Sequence, residues 1–206
     1  MLKYLIAIPC GNHIPTPTVA SLMCMKRVGM SRVTFLQNSL VYDARHMLVS
    51  EALKTGVDRV LFLDSDMTFD SHLMERLAAD MDSGLDFVTA LYFKRVFPTN
   101  PLVYKYVDGK HTAYADYPRN ELFEICACGF GAVMLSTKLL RDVVRDCKYP
   151  FTPIMGVAGE DIAFCRRARQ TGYRLWCDSR IKIGHVGTFI FDESTYRAQA
   201  DANKGE

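Results

Sequence analysis

The sequence predicts an α/β protein, a single domain on a mainly parallel, doubly wound sheet with a small antiparallel addition. Three observations lead there. From Tyr4 to Leu91, short apolar runs alternate with stretches of helical periodicity, an order that needs crossovers and therefore parallel strands. The run Val-Leu-Phe-Leu at residues 60–63 lacks polar-apolar alternation, so it reads as a strand covered on both faces. That run stops at Asp64-Ser65-Asp66, two carboxylates at a strand's carboxyl end, where open α/β sheets bind their ligands.

Each element has its own signal. Residues 4–9 form the first strand, with Gly11-Asn12 as its exit. Residues 16–30 follow as a helix, with Val19, Leu22, Met23 and Lys26 at helical spacing. A short second strand takes residues 33–36. Residues 44–54 make an amphipathic helix with Met47, Leu48, Ala52 and Leu53 on one stripe, stopped by Gly56. After the third strand, a helix over 71–81 sets Leu73, Leu77 and Met81 on one face and ends near Gly84. Residues 87–91 are the fourth strand.

Beyond Lys94 the pattern changes. Residues 104–107 and 112–114, around Asp108-Gly109-Lys110, read as a β-hairpin. Residues 126–135 are a strand region interrupted by Gly129 and Gly131, and Ser136 caps a helix over 138–145. Residues 148–158, with two prolines and Gly156, form an irregular loop. A helix over 161–170 ends at Gly172, and strands at 173–177 and 181–183 close the ordered part. The domain thus takes residues 1–193, and the polar tail over 194–206 frays.

Composition narrows the function classes. The chain has 206 residues, enough for one substantial core, with 49% hydrophobic and 23% charged residues. A net charge of +2 gives no electrostatic case for nucleic acid or an acidic membrane as main partner. No apolar run approaches the roughly 20 residues that span a bilayer. The run Leu5 to Ile8 is too short for a signal-peptide core and meets Pro9 at once. Seven cysteines at irregular spacing match no zinc pattern and read as reduced structural thiols of a cytoplasmic protein.

Three motifs carry chemistry. Asp64 and Asp66 are close enough to share a cation that holds an anionic ligand, but Asp-Ser-Asp is equally a turn and helix-cap sequence. Gly159-Glu160-Asp161 opens the last helix. Acids there suit the helix dipole, and they also suit a general base at a pocket rim. Ile183-Gly184-His185-Val186-Gly187 sets a histidine between glycines just after a strand, where backbone can approach a ligand. An imidazole with two aspartates makes a mixed N/O set suited to manganese or another divalent ion.

In this order, Asp64-Ser65-Asp66, Gly129-Phe130-Gly131, Glu160-Asp161 with Arg166 and Arg167, Gly172-Tyr173 and His185 resemble the GT-A-fold glycosyltransferases, most of all the family 2 type. The likeness runs from about Tyr4 to Gly187. It implies a Rossmann-like GT-A domain and a nucleotide-diphosphate sugar of UDP or GDP type as donor, with Mn2+ or Mg2+. It implies Asp66 and His185 as metal ligands. Asp64 falls on the ribose or a metal-bound water, with Ser65 between the two acids. Asp161 matches the base of inverting members, with Glu160 placing the acceptor. Pro9 and the loop through Asn12 match the segment against the nucleotide base. Ala44-Arg45 resembles a pair set near the phosphates, but His46 stands where asparagine is common, and a solvated helix charge fits Arg45 equally. Gly129 and Gly131 resemble the acceptor-side glycine loop.

The acceptor, a glycan or other hydroxyl compound, falls to the arm over residues 92–120 and the loop at 148–158. The chain is short for this fold, which leaves room for a second copy or a partner subunit. Two other readings stay open. A nucleotidyltransferase of related architecture would show a glycine-rich basic loop after the first strand, whereas Cys10-Gly11-Asn12-His13-Ile14-Pro15 has no Lys or Arg. A non-catalytic sugar-nucleotide-binding protein would keep the fold without turnover.

Overall fold

A computed structural model describes residues 1–37 and 40–202. The chain opens with β1 (Lys3–Cys10), whose side chains alternate between two cores. Leu5 and Ala7 enter one, and Tyr4, Ile6 and Ile8 the other. Helix α1 (Thr16–Cys24) starts on Pro15 and is shorter than its periodicity implies. Met25 turns extended, and Gly29 adopts a left-handed φ of +57° where a Cβ would overlap the Leu2 carbonyl. The chain thereby enters β2 (Met30–Gln37) three residues before the expected strand.

Helix α2 (Val41–Thr55) ends on left-handed Gly56 as expected. It leads to β3 (Arg59–Leu63), where Val60 and Phe62 face one core and Leu61 and Leu63 the other. A two-residue strand, β4 (Met67–Thr68), precedes α3 (Leu73–Asp82) and β5 (Phe87–Leu91). The expected hairpin is β6 (Val103–Val107) with β7 (Lys110–Ala113). The region at 126–135 splits at its glycines into β9 (Ala127–Cys128) and β10 (Ala132–Ser136), preceded by an unanticipated β8 (Leu122–Ile125). Ser136 caps α4 (Thr137–Asp146) by accepting the Leu139 amide at 3.0 Å.

After α5 (Glu160–Gln170), one continuous strand, β11 (Leu175–Lys182), replaces the two expected pieces and bends at an irregularity between Asp178 and Lys182. β12 (Gly184–Val186) and β13 (Ile190–Phe191) follow. The tail does not fray where described. It folds as α6 (Glu193–Ala202), with Tyr196 stacked on Phe93 at 5.0 Å and Gln199 accepting the Thr99 amide at 2.7 Å. Residues 203–206 of the expected tail lie outside the described residues.

The central sheet runs β2-β1-β3-β10-β5-β11-β8. Strands β1, β2, β3, β5 and β11 are mutually parallel, while β10, between β3 and β5, and the edge strand β8 run antiparallel. Helices α2, α4 and α5 cover one face and α3 the other. The chain leaves β1 toward β2 and returns past it to β3, so the order reverses between β1 and β3. Ligand crevices form at the carboxyl ends of strands flanking such a reversal. Two three-stranded sheets, β13-β12-β4 and β7-β6-β9, flank that edge. All seven cysteines are free thiols, and among the described residues no helix is long and apolar enough to cross a membrane.

Candidate active site

A cleft of about 460 Å³ opens at the carboxyl ends of β1, β3 and β5. Its walls take Pro9 and Gly11 from the first strand end, Asp64 to Asp66 from the second, and Tyr92 and Arg95 from the third. Glu160, Asp161 and His185 close it. Segments far apart in sequence converge because the strands that carry them point the same way.

One half of the cleft is locked by Arg45. Its side chain is only 3% exposed, with Nη2 donating to Asp64 Oδ1 at 2.8 Å and Nη1 to Glu160 Oε1 at 3.1 Å. The guanidinium lies over the rings of Phe130 (5.1 Å) and Phe151 (5.7 Å), which brace it from the apolar side. Burial alone would lower its pKa, but the carboxylates of Asp64, Asp161 and Glu160 raise it. Burial also lifts Asp64 above the usual carboxylate range, with Arg45 opposing. Asp161, in the first turn of α5, is pushed up to about 6 by burial and by the neighbouring Glu160 charge. Its Oδ1 accepts the Ile162 amide at 2.8 Å.

The other half is built by the small sheet. Register sets His185 of β12 against Met67 of β4, and the Val186 amide donates to the Asp66 carbonyl at 2.8 Å. His185 Nδ1 donates to the Phe93 carbonyl at 3.0 Å, because a carbonyl can only accept. That leaves Nε2 facing Asp66 Oδ2 at 3.3 Å. The Arg95 Nη1 lies 2.5 Å from the same oxygen. Burial would raise the Asp66 pKa, but His185 and Arg95 bring it below the ordinary value.

A divalent ion fits this half on donor chemistry. With Nδ1 on the Phe93 carbonyl, Nε2 is the ring nitrogen left on the cleft side beside Asp66 Oδ2, an N/O donor pair of the kind divalent ions take. One carboxylate and one imidazole leave coordination positions for phosphate oxygens, the usual arrangement for magnesium- and manganese-type ions. The expected three-ligand set is not assembled. Among the described residues no group of three His, Cys, Asp or Glu is arranged to hold a metal, and Asp64 is drawn toward Arg45 instead.

Other expected positions divide similarly. Pro9, Ser65, Asp64, Asp66, Glu160, Asp161 and His185 meet in the cleft. Arg45 meets them too, not as a solvated helix charge but as a buried strut. Asn12 does not line the cleft; it is exposed and accepts from the Gln37 side chain. Glu160 is engaged by Arg45 rather than turned out toward an acceptor. His46 faces away from the cleft, its Nε2 accepting the Phe151 amide at 2.8 Å and so pinning the loop that carries one brace of Arg45.

Sequence reasoning missed two residues. Tyr92 is buried, its hydroxyl oxygen accepting the Gly131 amide at 3.0 Å, and its ring meets His185 edge-on at 5.7 Å. Gly129 and Gly131 are needed for that ring, since a Cβ at either would overlap it. Arg95 is the other. Its one signal was the basic pair Lys94-Arg95 just past the carboxyl end of a strand, the same kind of position that singled out Asp64.

No protein-family model and no curated protein matches the chain. Among solved structures it is similar to A197 from STIV, with a TM-score of 0.66 and 19% identity, over 91% of this chain and 86% of that one. At that identity the likeness is one of fold. The architecture matches 314 solved chains, and so widely used a frame does not by itself assign a reaction.

Proposed function

We propose that this chain is a GT-A-type glycosyltransferase, metal-dependent and inverting, which moves a sugar from a nucleoside-diphosphate donor of UDP or GDP type to a hydroxyl acceptor. The observation that carries the reading is a division of labour within one cleft: a carboxylate facing an imidazole on one side, and a base with a pKa of about 6 on the other. Asp66 and His185 would hold Mn2+ or Mg2+. Such an ion, when bound, neutralises the negative charge that develops on a departing diphosphate.

The protein's own residues do the rest. Asp161 Oδ1 is occupied by the Ile162 amide, so Oδ2 is the oxygen left to take the acceptor's proton. As that proton leaves, the acceptor oxygen bonds the anomeric carbon, and the bond to the diphosphate breaks with its electron pair on the departing oxygen. A base near neutral pKa is well matched to this transfer. Arg45 keeps Asp64 and Glu160 partly neutralised, so the anionic donor meets fewer bare charges. The loop after β1 lacks Lys and Arg, which disfavours nucleotidyl transfer.

The test is a thermal-shift screen of UDP- and GDP-sugars with and without MnCl2, followed by product analysis. Ligands that bind the native state raise its melting temperature. Manganese-dependent stabilisation should vanish in Asp66→Ala and persist in Asp161→Asn, with transfer lost in both. Retention of the parent's manganese-dependent binding by Asp66→Ala sinks the metal assignment. Donor binding without hydrolysis or transfer by the parent favours a non-catalytic binding protein instead.

A further inference from the structure

Two arginines reach the cleft, and they are held very differently. Arg45 is 3% exposed and bound to two carboxylates, whereas Arg95 is 53% exposed and, among the described residues, pairs with Asp66 alone. The stem of Arg95 is placed beside the His185 strand, since a Cβ at Gly187 would come 3.4 Å from the Arg95 Cβ. Its head lies on Asp66 Oδ2, the oxygen that His185 Nε2 faces. The guanidinium therefore takes the charge and the oxygen that a cation on this pair would take.

We propose that Arg95 is a displaceable internal counter-ion: it neutralises Asp66 in the ion-free protein, and when a divalent cation enters it releases Asp66 and takes a diphosphate oxygen of the donor. This rests on the metal-dependent reading above. The geometry supplies the reasons. Cation and guanidinium compete for one oxygen, so they cannot both hold it. An exposed pair between a long side chain and a carboxylate is weak, so its release is easy. The freed head stays in the cleft on its anchored stem, and a guanidinium fork matches phosphate oxygens. It follows that the ion binds weakly alone and more tightly with the diphosphate, a positive coupling between the two ligands.

Manganese binding without nucleotide, followed by electron paramagnetic resonance, is compared for the parent, Arg95→Ala and Arg95→Lys. UDP and GDP are then titrated calorimetrically at saturating MnCl2. Arg95→Ala should bind Mn2+ roughly two- to five-fold tighter and the nucleotide roughly two- to five-fold weaker, the size of one exposed charge pair. Arg95→Lys keeps the competing charge and should stay near the parent for Mn2+. Opposite signs matter here, because a damaged fold weakens both. Unchanged or weaker Mn2+ binding by Arg95→Ala overturns the proposal, and tighter Mn2+ with unchanged nucleotide binding overturns the transfer to the diphosphate. If neither parent nor Arg95→Ala binds Mn2+, the metal-dependent reading falls and takes this one with it. If the parent binds Mn2+ but neither nucleotide, the donor assignment fails while the Mn2+ arm still decides the counter-ion.

Discussion

Asp64 and Asp66 are separated by one serine, yet they belong to different parts of the molecule. The Asp64 amide donates to the Gly131 carbonyl, so this residue still belongs to the central sheet, beside β10. The Asp66 carbonyl accepts the Val186 amide, so this one belongs to the small sheet with β12. Asp64 thereby meets the buried Arg45 and is raised by burial, while Asp66 meets His185 and the exposed Arg95 and is lowered by them. A change of sheet between two neighbouring acids yields one buried, braced compartment and one whose cation, Arg95, is half exposed. On the proposed reading, proton transfer belongs to the first and charge neutralisation on the diphosphate to the second.

The largest expected effect tests the buried compartment. Asp161→Asn should lower transfer by roughly 10²- to 10⁴-fold, the usual worth of a positioned base. In the parent, activity should fall about tenfold per pH unit below the base's pKa of about 6. Stability should move the other way. A carboxylate raised from 3.8 to about 6 costs the fold nothing below its unfolded pKa, and the cost grows until the folded pKa is passed. Discounted for partial exposure, that cost is on the order of 2 kcal/mol. Urea unfolding should therefore find Asp161→Asn more stable than the parent at about pH 7.5 and equal to it below about pH 4. A variant that is inactive and no more stable at neutral pH would show that the base is not held in a costly state.

Next in size is the strut. Arg45→Met keeps volume but strips Asp64 and Glu160 of their cation and removes the charge over Phe130 and Phe151. Removing one member of a buried pair costs about 3–5 kcal/mol, and the 27% and 24% exposure of its partners reduces this to about 2 kcal/mol. The loss should be smaller at about pH 5 than at neutral pH, because Asp64, already raised by burial, more readily takes up a proton and sheds its stranded charge. Equal losses at both pH values would mean that packing, not charge, is what Arg45 supplies.

The same contrast explains what could be read from the chain. Strands β1, β3 and β5 were legible because strands buried on both faces leave uninterrupted apolar runs, and the acids at the end of β3 announced the cleft. The strand region at 126–135 was legible, but its division into β9 and β10 and the antiparallel insertion of β10 between β3 and β5 are matters of pairing that no local pattern encodes. α6 was hidden because its polar surface resembles a tail, and its aromatic anchor, Tyr196, packs on Phe93 and Tyr117 from distant segments. The positions of Asp66, Asp161 and His185 in one cleft were legible, since each stands at the end of an element with a local signal. Arg45 was readable as a residue near the phosphates or a solvated helix charge but not as a buried strut, since its depth depends on Phe130 and Phe151 from distant segments. Arg95 left almost no signal, because an exposed arginine has no periodicity to betray its partner.

The smallest expected effect falls on the half-exposed compartment and is the most discriminating. Asp66→Asn in ion-free protein removes the pairs to His185 and Arg95. Arg95 is 53% exposed and can turn to water, so the loss in stability should stay within about 1 kcal/mol. Because the Asp66 pKa is lowered, that contribution is present above the ordinary value of 3.8 and is lost as pH falls through the folded pKa. It should also fade at about 1 M salt, where screening acts within about 3 Å. Asp64→Asn should behave differently: its pKa is raised by burial, so the charge it removes is a cost at neutral pH, and the variant should gain on the parent as pH rises and respond little to salt. Urea midpoints for both variants at low and high salt measure the difference directly. If Asp64→Asn proves the costlier of the two, or Asp66→Asn the one insensitive to salt, the division of the cleft fails. Arg95 would then be a structural pair rather than a cation that can be replaced.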